Sequence, residues 1–189
     1  MISRRATTSL VPLALASLAA SPVLAAPTLG EDGLYVQPWF LHSFLDIGED
    51  LANAAGEGKR LAVMWELRGC PYCKELHLTN FADSAVEAYV RANFQVLQLN
   101  LLGSRLVTDL DGEKLSEKAL AAKYAVRFAP TIQFFPQSAD GLGALAPGKR
   151  EAARMPGFLK RGEFLAMFRF VRERGYEGKS FSDWLKTGT

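Results

Sequence analysis

Two cysteines, Cys70 and Cys73, are the only ones in the chain, and they stand two residues apart in Leu67-Arg68-Gly69-Cys70-Pro71-Tyr72-Cys73-Lys74. A pair at this spacing can close a disulfide and exchange it with another. The apolar run Leu61-Ala62-Val63-Met64-Trp65 before it reads as a buried strand. Gly69 breaks that run, and Pro71 falls where the first turn of a helix tolerates proline. Cys70 is therefore expected at or just before a helix N-terminus, with Cys73 one turn further in. Free N–H groups and the positive helix end favour a thiolate on Cys70. Arg68 and Lys74 add positive charge beside it. Cys73 is then placed to attack a mixed disulfide formed on Cys70.

Two other uses of the pair have less behind them. Half of a zinc site has the same spacing, but structural zinc takes four protein ligands. The chain offers no third cysteine and only His42 and His77, in separate segments. No metal and no organic cofactor are expected. A purely structural bridge across so short a loop removes little chain entropy and adds little stability.

The N-terminus bears on where this chemistry takes place. Arg4-Arg5, the apolar stretch Leu10 to Ala20 and the small residues Ser21 to Ala25 read as a secretory signal, residues 1–25. The stretch is too short to span a membrane, and Pro12 interrupts it. Residues 26–189 then form a single domain with room for a real core. Without Arg4 and Arg5, the remaining lysines and arginines equal the 20 acidic residues. A near-neutral chain points to neither nucleic acid nor an anionic membrane as partner, and a monomer is expected. Exported proteins commonly use disulfides as staples, whereas here the single pair is left for turnover.

The elements that must position the cysteines follow in order. Leu29 to Pro38 suggests one short strand around Leu34-Tyr35-Val36. Trp39 to Ala55 places Phe40, Leu41, Phe44, Leu45, Ile47 and Leu51 at helical spacing, with Trp39, Phe40 and Phe44 expected in the core. The central strand is Arg60 to Glu66. Lys74 to Leu78 continue the helix after the cysteines, and Asp83 or Ser84 caps a second helix through Ala92. Phe94 to Leu101 alternates as a strand. A small hairpin turns at Asp111-Gly112, and a helix runs from Ser116 to about Tyr124. Strands are expected over 131–135 and 150–155, joined by a Gly/Ala/Pro-rich surface connection. Arg161 to Arg174 forms a helix with Phe164, Leu165, Phe168 and Val171 inward, and Ser180 to Lys186 a short terminal one. The order predicts an α/β sheet that is parallel first and closed by an antiparallel hairpin.

Taken together, the strand-CxxC-helix unit, the Ala129-Pro130-Thr131 step and the closing strand-strand-helix resemble the thioredoxin fold. The resemblance implies a central mixed sheet flanked by helices, here with an N-terminal helical extension and a short C-terminal helix. It implies that Pro130 is cis and faces the Cys70–Cys73 disulfide, so that Ala129 and Thr131 beside it offer backbone to a substrate chain. Tyr72, between the cysteines, is expected to be a surface aromatic that contacts substrate. Within the fold, the chain is similar to periplasmic thioredoxin-like proteins associated with bacterial sulfur oxidation, the SoxW type. Glu66 to Cys73, Trp39-Phe40, Glu49-Asp50-Leu51 and the tail segments Pro156 to Leu159, Phe164 to Tyr176 and Phe181 to Leu185 carry that similarity.

Departures from ordinary thioredoxins also matter. They have Trp before the first cysteine and Gly-Pro between the two, where this chain has Gly69 and Pro71-Tyr72. Cys-Pro-Tyr-Cys is a glutaredoxin sequence, but the expected long N-terminal helix and the export signal argue against a cytosolic glutaredoxin. Met64 occupies the place of the buried aspartate that assists the resolving thiol. Glu66, two residues on and on the same strand face, is the candidate replacement as proton acceptor for Cys73, or else a solvated strand end. His77 lies four residues after Cys73 on the same helical side, and a surface position is expected for it.

The resemblance implies a periplasmic thiol–disulfide oxidoreductase that reduces disulfides of exported clients such as sulfur-oxidation carriers or apocytochromes. It would be recharged by a membrane thiol transporter of the CcdA or DsbD type. An oxidant or isomerase uses the same residues, and the Pro71-Tyr72 dipeptide does not choose between them. A peptide- or copper-binding module using Cys70, Cys73 and His77 is the non-enzymatic alternative.

Overall fold

The computed structural model describes residues 26–187. Residues 1–25, where a secretory signal is expected, lie outside the described residues. A two-residue hairpin, β1 (Thr28–Leu29) and β2 (Tyr35–Val36), opens the chain where one short strand is expected. Next come α1 (Ile47–Gly56), β3 (Arg60–Glu66) and α2 (Pro71–Glu75), which passes directly into a π-helical turn at Leu76–Asn80. Then follow α3 (Ser84–Asn93), β4 (Phe94–Asn100), the hairpin β5 (Leu106–Thr108) and β6 (Lys114–Ser116), and α4 (Glu117–Lys123). β7 (Thr131–Phe134), β8 (Ala153–Pro156), α5 (Arg161–Arg172) and α6 (Phe181–Lys186) complete it.

The main sheet has the order β4-β3-β7-β8. β3 runs parallel to β4 and antiparallel to β7, and β8 returns antiparallel on the edge. Every residue of β3 is buried, as expected of a strand covered on both faces. Its alternation divides the core. Ala62 and Met64 face a cluster built with Phe81, Val86, Phe94, Phe134, Phe164 and Phe168. Leu61, Val63 and Trp65 face a second cluster with Ile47, Leu51, Leu97, Leu120 and Phe135. Period two then sends Glu66, the last residue of β3, to the Met64 side.

Side-chain caps explain most helix starts. Asp46, Asp83 and Ser116 each accept backbone N–H bonds from the first turns of α1, α3 and α4. The long helix expected from Trp39 begins only at Ile47. Phe40 packs in the first cluster while Leu41, its neighbour, packs against the second, so the segment passes from one face of the sheet to the other without forming a helix. The Leu41 N–H donates to the Val96 carbonyl at 2.8 Å, and Leu45 has a left-handed φ of 63°. Phe44 is fully exposed, at 100%, against its expected core place. β8 starts later than expected because Arg150 is drawn into a buried ion network instead.

Candidate active site

β3 delivers the chain to the site, and Gly69 turns it. Its φ of +76° is a conformation that a side chain rarely adopts. Cys70 is the N-cap of α2, with Pro71 in the first turn. The Cys73 N–H donates to Cys70 Sγ at 3.1 Å, and the two residues form a disulfide with their Cα atoms 5.3 Å apart. Cys70 is partly exposed while Cys73 is buried. The outer sulfur can therefore be reached and the inner one stands behind it. An N–H aimed at Cys70 Sγ from a helix start stabilises a thiolate better than a thiol.

The peptide bond between Ala129 and Pro130 is cis. The Ala129 carbonyl oxygen lies 3.6 Å from Cys70 Sγ, so this backbone borders the disulfide. The Pro130 carbonyl accepts the Gly157 N–H at 2.8 Å. Thr131 is buried, and its hydroxyl donates to the Phe128 carbonyl at 2.9 Å, so that side chain holds the loop together. Tyr72 is exposed and stacks on Phe158, with centroids 5.7 Å apart. Phe128, beside Ala129, is exposed as well and adds an apolar surface that no local sequence signal marks. Arg68 is held against the opening hairpin by bonds from Nε to the Asp32 carbonyl at 2.8 Å and from Nη2 to that of Glu31 at 3.4 Å.

Behind the cysteines lies a buried polar group. Glu66 is 1% exposed, which rules out the solvated strand-end reading. Both of its oxygens lie 3.0 Å from His77 Nε2, and Gln98 Nε2 donates to Oε2. His77 has no exposed surface, so its expected surface place is corrected. The π-helical turn sets it between β2 and β3, with its ring 5.5 Å from Phe40 and 5.8 Å from Phe81. Copper delivery would need a free His77 nitrogen, and Glu66 and Gln37 occupy both. Among the described residues no group of three His, Cys, Asp or Glu side chains is arranged to hold a metal. A cavity of about 520 Å³ opens beside the disulfide, lined by Glu66, Cys70 and Cys73 together with Leu34 and Tyr35.

Gln37 and Gln98 were not singled out from the sequence. Gln98 is one of the polar positions of the alternating β4, but no local signal marks Gln37, whose partner His77 is distant in the chain.

The thioredoxin-like domain family matches residues 47–172, about two thirds of the chain. No curated protein sequence matches it. Among solved structures, a thioredoxin-fold protein from Helicobacter pylori is similar at 19% identity and a TM-score of 0.60, covering 79% of this chain and 88% of its own. A thioredoxin from Thermus thermophilus is similar at 27% identity and a TM-score of 0.53, covering 71% of this chain and 90% of its own. No helix among the described residues is long and apolar enough to cross a membrane. With an accessible cysteine capping a helix, a buried one a turn behind and the family match running across both, the chain belongs to the thioredoxin-like family and is a thiol–disulfide oxidoreductase.

Proposed function

We propose that the protein works in the reducing direction on exported proteins. The pairing of an accessible Cys70 with a buried Cys73 that shares its cavity with a buried carboxylate, Glu66, carries the dithiol chemistry, and the similarity to the SoxW type supports its direction. The Cys70 thiolate attacks one sulfur of a client disulfide, and the other leaves as a thiolate. Cys73 then gives its proton to Glu66, and its sulfur bonds to Cys70 Sγ. The Cys70–client bond breaks, and the electron pair leaves on the client sulfur. The client disulfide is thereby reduced to two thiols and the enzyme dithiol oxidised to a disulfide. An extended client segment lies along the Ala129–Pro130 backbone, with Tyr72 and Phe128 at its sides.

The periplasm is the proposed compartment, supported by the basic, apolar and small-residue pattern of residues 1–25. There a reductant must be recharged across the membrane, which calls for a thiol transporter of the CcdA or DsbD type. Similarity to the SoxW type favours cysteine-bearing sulfur-oxidation carriers as clients, with apocytochromes next.

Cys73→Ser tests the order of events. With the aromatic disulfide dithiobis(nitrobenzoate), the reduced wild-type protein should release two thiolates and end as the internal disulfide. The variant should release one and keep the other half bound to Cys70, seen as an added mass on that residue. A variant that forms no adduct on Cys70, or still turns over, would overturn this reading.

A further inference from the structure

Gln37 fixes the state of the His77 ring. Its side-chain nitrogen lies 3.1 Å from the His77 carbonyl oxygen and 3.3 Å from Nδ1. A carbonyl only accepts, so the amide must present its nitrogen there, and its second proton faces Nδ1. Nδ1 therefore accepts, and the ring proton sits on Nε2. That proton points between Oε1 and Oε2 of Glu66, each 3.0 Å away. Gln98 donates to Oε2 from β4 and is itself held by the Tyr35 carbonyl at 2.6 Å. The carboxylate thus meets donors from the π-helical turn and from β4. Glu66 also lines the cavity, whose other titratable or charged groups are Cys70, Cys73, Tyr35, Arg68 and Lys74.

We propose that His77 is a positioning residue for the resolving step, locked by Gln37 with its proton on Nε2 so that Glu66 is held toward the cavity it shares with Cys73. Gln37 and Tyr35 precede the residues that match the family, which begin at 47. The opening segment is thus part of the redox machinery of this chain. The inference rests on the proposed role of Glu66. Cys73 gives up its proton to Glu66 directly or through one water as its sulfur displaces the client thiolate from Cys70. The departing thiolate or solvent then takes the proton back, so protons and electrons balance.

The test uses single-turnover kinetics of the reduced full-length chain with dithiobis(nitrobenzoate). Thiolate release should have two phases: a concentration-dependent attack by Cys70 and a concentration-independent resolution by Cys73. His77→Phe should leave the first phase unchanged and slow the second by roughly tenfold or more, the scale of a misplaced catalytic group. His77→Gln, which keeps an N–H donor, should restore most of that loss. An unchanged second phase in His77→Phe, or equal losses in His77→Gln, would overturn the proposal. If His77→Phe fails to fold, Gln37→Leu decides by the same phase. It unlocks the ring and should slow resolution by roughly tenfold, and a wild-type rate there would overturn the proposal. A wild-type protein without a second phase would sink the proposed dithiol mechanism itself, a distinct outcome.

Discussion

Glu66→Leu slows the resolving step by about a hundredfold or more, the scale on which a positioned proton acceptor contributes, and leaves the attack by Cys70 at its wild-type rate. Cys73 is buried and carries a proton that must leave before its sulfur can attack. Glu66 and Cys73 line the same cavity. Leucine is close in size and removes only the acceptor, although it leaves the His77 and Gln98 donors facing an apolar group. Glu66→Gln separates that packing cost from chemistry, because the amide keeps an acceptor for one of these donors but cannot take the thiol proton. Both variants should therefore show the same slow second phase in thiolate release, and that phase should rise about tenfold per pH unit when solvent alone removes the proton. Equal rates in wild type and Glu66→Gln would show that the carboxylate is structural.

Arg150→Ala destabilises the fold by about 3 kcal/mol, the low end for breaking a buried ion pair. Arg150 is 3% exposed, and its guanidinium donates to Asp109 Oδ2 at 2.8 Å and Asp111 Oδ2 at 2.9 Å. It also holds the Leu145 and Gly143 carbonyls, which pins the loop between β7 and β8 to the β5–β6 hairpin. Asp109 is fully buried, but it keeps Lys123 and the Tyr124 hydroxyl, and so the effect stays at the low end. The expected fall in Tm is roughly 6–12 °C for a chain of this size. Bonds from Lys123 and Arg150 hold the Asp111 carboxyl well below the usual carboxylate range. A depressed folded value means stability that is present above the unfolded pKa of about 3.9 and is lost as pH falls through the folded value. Lys123 stays on Asp111 in the variant, so wild type and Arg150→Ala should both lose stability as pH falls below about 4. A wild-type Tm unchanged from pH 7 to pH 2 would contradict this account of the network.

Much of this structure was legible in local patterns. Leu61 to Trp65 shows its burial in composition alone, and Asp83 and Ser116 announce their helices by capping chemistry. Gly69, Pro71 and the cysteine spacing place Cys70 at a helix start from sequence alone. The segment 39–46 misled because its apolar residues fit helical spacing while they serve two different cores on the two faces of the sheet. Periodicity cannot tell one face of a helix from an irregular segment that serves both faces of a sheet. His77 misled for a related reason: its surroundings, Phe40 and Gln37, arrive from the opening segment, and only tertiary contact shows that the π-helical turn carries it inward. The role of Gln37 has no local signature, since an isolated glutamine near a turn is ordinarily solvated.

The reduction potential of the Cys70–Cys73 pair tests most directly whether it serves as the proposed reductant. Equilibration against glutathione and dithiothreitol buffers, with the dithiol fraction read by alkylation, should give a two-electron couple near that of thioredoxin, about −270 mV. A value near about −120 mV, that of a strong oxidant, would contradict the account and make this protein a donor of disulfides instead.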